Sequence, residues 1–406
     1  PRGGRRLAPC SRHQHSCQYT KFQRRTSLTN ESQTYRTLQT ELRRAVLSGF
    51  VGLLLCASLL FITTTAENTL LYLSASVMLW LLVWHQSNNR LHLNRANTSA
   101  ALQSDLGPAN CMTLGRGWLI AATGGFLLIP DVLATHPVLL WIAAALYSVA
   151  AIFDRVDGYL ARRSQRTSLL GAELDTVFDA LGLLIAPVLA LQHGKIHASY
   201  LLVSVAYYLF VVGIKVRERN HKPVYALPPS VLRRTLAGFQ MGYVAVVLWP
   251  PFRAEITVLA GFGFMVPLLI GFTVDWLLVS GRLQRRPQRY AMLQQVTHNA
   301  LLPVLRLMLP LSAWLIVSDG FPVTPALFMP ITGLFIIGVS LMLLGLAGRA
   351  GAVAVLMLLA WAGPAPDDSI AVVFCLFASI TILLLGCGRF SAWQADDDWV
   401  NRQDGA

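Results

Sequence analysis

The chain has 406 residues, of which 54% are hydrophobic, with a formal net charge of +13 and a mean hydropathy of +0.53. A chain of this size and apolarity is not a soluble globular protein, and several of its apolar runs reach the ~20 residues that cross a bilayer. The positive charge does not mark a nucleic-acid binder. The basic residues are spread through the joints between apolar runs instead of being gathered in one domain, which reads as membrane orientation.

In chain order, residues 1–44 are basic and rich in Ser, Gln and Thr, and read as a disordered cytoplasmic tail. Within it, Cys10, His13, His15 and Cys17 do not follow a standard zinc spacing. The six cysteines include no CxxC pair, and those in apolar runs read as small buried hydrophobes. The chain does not begin with Met, so its true start is left open, and no cleavable signal peptide is visible because the first apolar run begins only near Ala45.

About twelve spans follow, roughly 45–65, 69–85, 116–130, 137–154, 168–191, 199–215, 234–250, 255–281, 299–318, 325–347, 351–363 and 369–387. The first two form a hairpin. The polar stretch after it, Asn88–Gly107, suits either a short helix on the membrane surface through Leu91, Leu93 and Ala96, or a linker. The expected division is a tail 1–44, a transmembrane hairpin and juxtamembrane segment 45–105, a central domain 106–289, and a four-span domain with an acidic tail 290–406.

With the N-terminus inside, the cytoplasmic joints hold Arg90 and Arg95; Arg162, Arg163 and Arg166; Lys215, Arg217, Arg219, Lys222, Arg233 and Arg234; and Arg282, Arg285, Arg286 and Arg289. The opposite joints hold only Lys195 and Arg253. This asymmetry predicts that both termini, the Asp cluster of residues 154–179 and Arg162 lie on the cytoplasmic side, and the membrane is expected to be a bacterial cytoplasmic one.

The functional signal lies between Asp154 and Asp179. Asp154, Asp157, Gly158, Ala161 and Arg162 fall at i, i+3, i+4, i+7 and i+8, one stripe of a helix, and Gly171, Asp175 and Asp179 form a second stripe. If the chain turns back through Arg163–Ser168, all four Asp face one small volume near the membrane surface. Lone Asp residues at helix ends are often only surface charges. Four in this setting are different, because one charge at mid-membrane already costs ~2.5–3.5 kcal/mol. A cation is therefore implied. All-oxygen ligands favour Mg²⁺ or Mn²⁺, and four carboxylates can bridge two such ions.

The pattern D-x2-D-G-x2-A-R-x8-G-x3-D-x3-D, met here at every fixed position, resembles the signature of the CDP-alcohol phosphotransferases. The resemblance covers about residues 106–286 and includes the Asn110-x2-Thr113-x2-Arg116 lead-in; Arg233-Arg234-Thr235 with Gly238 and Gln240 matches more loosely. It implies an all-α polytopic protein with a six-helix bundle, flanked here by the N-terminal hairpin and a C-terminal four-helix membrane domain. The implied reaction is transfer of a phosphatidyl group from a CDP-linked lipid such as CDP-diacylglycerol to an alcohol, with release of CMP.

By the same resemblance, Asp154, Asp157, Asp175 and Asp179 hold the metal ions and Asp179 also takes the proton of the attacking hydroxyl. Asn110, Thr113, Gly158, Ala161, Arg162 and Gly171 bind the CDP-lipid, although Asn110 and Thr113 also fit as caps of a helix starting near Arg116. Lys215, Arg233, Arg234 and Arg282 suit a phosphorylated acceptor such as inositol phosphate or glycerol phosphate; the alternative is that they only anchor topology. Asp275 either meets the acceptor or pairs with an Arg such as Arg282. A second copy of the chain is a candidate partner.

Arg306, the glycines 333, 338, 345 and 348, and Gly388-Arg-Phe-Ser391 resemble a DoxX-type domain, read either as accessory or as having its own role. The competing function class is a cation or solute transporter using the Asp cluster as its ion site, although transporters usually place such acids at mid-membrane in repeated halves.

Overall fold

The computed structural model describes residues 12–227, 230–283, 287–366 and 369–393. These form fourteen α-helices and no sheet: α1 (Arg12–Thr63), α2 (Ala66–Arg90), α3 (Gly107–Gly125), α4 (Pro130–Thr135), α5 (Pro137–Arg163), α6 (Leu169–Gln192), α7 (Leu201–Arg219), α8 (Val231–Val247), α9 (Ala254–Val279), α10 (Pro287–Val296), α11 (Leu302–Asp319), α12 (Pro325–Leu344), α13 (Gly348–Ala362) and α14 (Ile370–Leu385). The protein is an all-α polytopic membrane protein. Among the described residues, nine helices are long and apolar enough to cross a bilayer, while α13 and α14 are apolar but shorter. Each run expected as a span has a helix as its body, including the 17-residue α8, although several runs end a few residues beyond their helix.

Two expectations are corrected. Residues 12–44 continue α1 as helix instead of forming an irregular tail, because no Pro or Gly interrupts the chain from Arg12 to Ser48 and Leu38, Leu42 and Val46 form a buried stripe. Residues 1–11, and with them Cys10, lie outside the described residues, as do Arg285, Arg286 and the acidic tail; no side-chain position is described for Cys17 or Arg289. The stretch after α2 carries no surface helix beyond the single turn Leu91–Leu93. It is a folded loop knotted by Asn94, whose Nδ2 donates to Asp105 O at 2.9 Å and whose carbonyl accepts Gln103 N at 2.8 Å.

The second correction concerns α3, which starts at Gly107 and not near Arg116. Pro108 supplies a helix-ready φ in its first turn. Asn110 and Thr113 therefore sit inside the helix and cap nothing.

α3 is the hub of the N-terminal half, packed against α1, α2, α5 and α6. One indole closes the first hairpin and another fastens it to α3: Trp80 Nε1 of α2 donates to Val46 O at 3.0 Å and Trp118 Nε1 of α3 donates to Gly49 O at 2.9 Å, both acceptors on α1. Gly49 and Gly52 make the room, since a Cβ on Gly52 would lie 2.9 Å from the Trp118 ring. Helices α5 to α9 close around a cavity, and α13 and α14 pack on α9. One apolar core runs from Phe264, Met265 and Leu268 of α9 into Val372, Leu376 and Ile380 of α14.

In the last four helices, Arg306 is buried and donates to backbone carbonyls: Met342 O at 2.9 Å, Leu343 O at 2.6 Å and Cys387 O at 3.0 Å. These are carbonyls at the end of α12 and just after α14, where helix geometry leaves acceptors without intrahelical donors. Gly345 ends α12 at φ +65°, a conformation that a side chain resists, and a Cβ there would meet Ser391 Cα at 2.7 Å.

Gly49→Leu is expected to wedge α1 away from Trp80 and to destabilise the protein by about 1–3 kcal/mol, the range for overpacking. Thermal unfolding in detergent checks this; an unchanged melting temperature would show that the indole contact is not a fixed joint.

Candidate functional site

The chain turns back where expected. α5 ends at Arg163 and α6 begins at Leu169, with Ser168 as N-cap accepting Gly171 N at 3.0 Å. The two Asp stripes do not face each other across an open gap. α3 lies against both α5 and α6 and inserts Arg116 between the carboxylates. Arg116 Nη1 donates to Asp154 Oδ1 and to Asp175 Oδ1, each at 2.7 Å, and lies 3.7 Å from Asp157 Oδ2. Its Nη2 donates to Asp179 Oδ1 and, at 3.1 Å, to the Asp175 carbonyl.

One oxygen from each of Asp154, Asp175 and Asp179 lies within 4.8 Å of the others, the arrangement a single cation needs. Asp157 stands apart from that trio: it is the most enclosed of the four carboxylates, and its Oδ2 is 2.9 Å from the Thr113 hydroxyl. That hydroxyl is also 3.0 Å from Ala109 O, and its one proton serves only one acceptor at a time. The donor set fits a hard divalent cation, being made of carboxylate oxygens without sulfur or imidazole. Fully ionised, the four carboxylates less the Arg116 charge leave a formal −3, which calls for a further cation.

The remaining expected residues fall as follows. Asn110 is buried and ties three segments together: its Nδ2 reaches Asn94 Oδ1 at 3.0 Å, Leu106 O at 2.8 Å and Ser168 Oγ at 3.3 Å. Gly171 packs against it, since a Cβ there would lie 2.9 Å from Asn110 Oδ1. Asn110, Thr113, Gly158, Ala161, Arg162 and Gly171 all line one cavity of about 1610 Å³ together with the four Asp. The same wall holds Arg233, Arg234 and Arg282, and descends past Leu183, Leu236 and Ile270 into an apolar lobe. Lys215 is exposed near the end of α7 and is not part of that wall. Asp275 pairs with Arg233, Nη1 to Oδ2 at 3.0 Å, and not with Arg282.

Two further arginines, Arg155 and Arg166, also line the cavity. Gly238 on α8 leaves room for Arg155, whose Nη2 would lie 3.2 Å from a Cβ at that glycine. Arg166 forks onto both oxygens of Asp105 at 2.9 and 3.1 Å and holds that carboxyl below its ordinary range. Gln240 is fully buried, accepting from Tyr200 Oη and donating to Phe264 O at 2.7 Å, and so joins α8 to α9 beneath the cavity. Arg116 is the residue that sequence reasoning left without a role. The signal was present: an arginine three residues past Thr113 in an otherwise apolar helix must find a buried counter-charge.

Known proteins were compared with the chain. The family model described as CDP-alcohol phosphatidyltransferase matches residues 107–274. The chain is also similar to a curated "CDP-diacylglycerol--glycerol-3-phosphate 3-phosphatidyltransferase" of Pseudomonas fluorescens, 32% identical over 140 residues, which covers 33% of this chain and 69% of the relative. No solved structure matches it significantly.

Thr113→Val keeps the shape of the side chain and removes the hydroxyl that meets Asp157. It is expected to weaken Mn²⁺ binding roughly ten-fold, the lower end of what losing the partner of a ligand costs. Calorimetric titration of the purified protein checks this, and an unchanged affinity would exclude Asp157 from the ion site.

Proposed function

This chain belongs to the CDP-alcohol phosphatidyltransferase family, and we propose that it passes a phosphatidyl group from CDP-diacylglycerol to a phosphorylated alcohol with the help of divalent cations. Phosphatidyl transfer from a CDP-linked lipid to an alcohol within a membrane follows from the family. The metal ions, the acceptor and the residue roles are our reading. The observation that carries it is the single cavity that joins four carboxylates, an apolar lobe and a rim of arginines.

Asp154, Asp157, Asp175 and Asp179 would hold one or two Mg²⁺ or Mn²⁺ ions, which supply charge neutralisation at the diphosphate of the donor. Gly158 and Ala161 lack bulk beside the first two carboxylates, so the nucleotide can approach the α5 backbone there. Arg162 is exposed on the same face and suits a phosphate oxygen. The apolar lobe suits the acyl chains.

In the reaction, the acceptor hydroxyl oxygen forms a bond to the phosphorus that stays with the lipid. The bond from that phosphorus to the CMP oxygen breaks, and the hydroxyl proton passes to Asp179. Arg116 engages one oxygen of Asp179 and would orient that carboxyl group for the transfer.

For the acceptor, Arg234 and Arg282 are exposed at the cavity rim, while Arg233 shares its charge with Asp275. A phosphate monoester approaching a cluster of carboxylates requires positive charge of this kind. The name of the Pseudomonas fluorescens relative specifies glycerol 3-phosphate, which makes that compound the first acceptor to test. The mouth is assigned to the cytoplasmic face by the excess of Arg and Lys at this end of the helices. Residues 106–289 would form the catalytic unit, with α11 to α14 as its support. The family assignment leaves the transporter alternative without an observation in its favour.

Purified protein in detergent, given CDP-diacylglycerol, Mg²⁺ or Mn²⁺ and a panel of glycerol 3-phosphate, inositol phosphate, glycerol, inositol and serine, is expected to release CMP only with a phosphorylated acceptor. Turnover confined to uncharged alcohols would overturn the acceptor assignment. Asp179→Asn is expected to abolish CMP release while CDP-lipid binding persists; a wild-type rate would remove its role as base.

Replacing Arg233, Arg234 or Arg282 with Gln one at a time should raise the acceptor KM about ten-fold or more, the loss of one charge-assisted hydrogen bond, and leave the CDP-lipid KM nearly unchanged. Steady-state kinetics with each substrate varied in turn checks this. Wild-type constants in all three variants would reduce these arginines to topological anchors.

A further inference from the structure

We propose that Arg116 is the positioning residue of the carboxylate site, a resident cation that holds the acidic side chains together from behind, on the side away from the open cavity. This rests on the reading above that the Asp cluster receives divalent cations.

The exposures establish which side the arginine is on. Its side chain is 0% exposed, whereas those of Asp154, Asp179 and Asp175 are 22%, 36% and 45% exposed. The carboxylates therefore lie between the guanidinium and the open cavity. The bonds are also shared: Arg116 engages Oδ1 of Asp154, Asp175 and Asp179, three carboxylates with one oxygen each within 4.8 Å of one another, so one guanidinium holds the trio together.

Its bond to the Asp175 carbonyl couples it to the α6 backbone as well as to side chains. Among the described residues no acceptor reaches its Nε, so the head group is oriented for the carboxylates at the expense of that third site. A planar fork can serve three carboxylates in fixed directions; a Lys ammonium supplies the same charge from one point.

Two substitutions separate charge from geometry. Arg116→Gln removes the resident cation and leaves the cluster one unit more negative. The metal-free protein should melt at a lower temperature, and Mn²⁺ alone should raise its melting temperature more than it raises that of the wild type, with a dissociation constant several-fold lower. A role in packing alone would lower the melting temperature equally with and without Mn²⁺ and leave the dissociation constant unchanged, and that result overturns the proposal. If Arg116→Gln is recovered only unfolded, Mn²⁺ present during solubilisation should restore folded protein, and failure to do so counts against the proposal equally.

Arg116→Lys keeps the charge and loses the fork. It should respond to Mn²⁺ as the wild type does, yet show kcat at least ten-fold lower with the KM for CDP-diacylglycerol within about two-fold. A wild-type kcat in Arg116→Lys would refute the geometric part. If the wild type itself neither gains stability with Mn²⁺ nor releases CMP, the proposed function fails; if it does both and the variants behave identically to it, only the role of Arg116 fails.

Discussion

The site depends on one constraint: acidic groups placed within apolar helices have to be compensated by positive charge from inside the protein. A carboxylate at bilayer depth is costly, and two helices each presenting a pair of them repel one another. The protein answers with a guanidinium from a third helix, which meets Asp154 and Asp175 at 2.7 Å and also engages Asp179. The bundle is arranged accordingly. α3 has to lie against both acidic helices, and it has to reach between them without bulky neighbours. At Gly117, the residue after Arg116, a Cβ would come within 2.9 Å of Val83 and 3.2 Å of Phe178.

The flanking helices can be understood as the supports of that arrangement. The hairpin of α1 and α2 covers the outer side of α3, pinned by the Trp80 and Trp118 bonds to the α1 backbone. Glu41, on the extension of α1 beyond its apolar run, accepts Leu106 N at 2.9 Å at the start of α3, where a negative charge is favoured by the helix dipole. Glu31 reaches Arg95 at 3.3 Å, and the Arg95 carbonyl accepts Leu169 N at 2.9 Å, so the same segment holds the start of α6. At the other side of the cavity, α14 packs on α9, the helix that carries Asp275. Gly263 of α9 faces Ile380 and Phe377 of α14 too closely for a Cβ without movement. The helices outside the matched region 107–274 therefore brace α3, α6 and α9, all of which line the cavity.

The cavity is electrically polarised as a result. One wall carries four carboxylates around a buried arginine, and the rim carries arginines, two of them paired with acids: Arg166 with Asp105 and Arg233 with Asp275. These pairs are partly exposed, so they contribute little to stability. Their effect is to set the direction and the effective charge that an anionic ligand meets, which is why the rim does not act as one uniform basic patch.

Much of this was legible in the sequence, for a physical reason. Hydropathy runs and the i, i+3, i+4, i+7 spacing of Asp154, Asp157, Gly158 and Ala161 are local properties, and local periodicity decides helix and face without knowledge of the partner. The membrane class, the two acidic stripes and the turn between them followed from the sequence alone. Helix limits followed less well, since α3 begins before its apolar run with Asn110 and Thr113 turned inward, and α1 continues through a polar stretch that merely lacks a breaker. What only the tertiary structure decided were the pairings between distant positions. Arg116 meets Asp179 across 63 residues, Thr113 meets Asp157 across 44, and Arg233 takes Asp275 across 42. Lys215 is left outside the cavity wall by the same packing. A charge in the sequence states only that it needs compensation; which opposite charge provides it depends on how helices cross, and that is a property of the packed bundle.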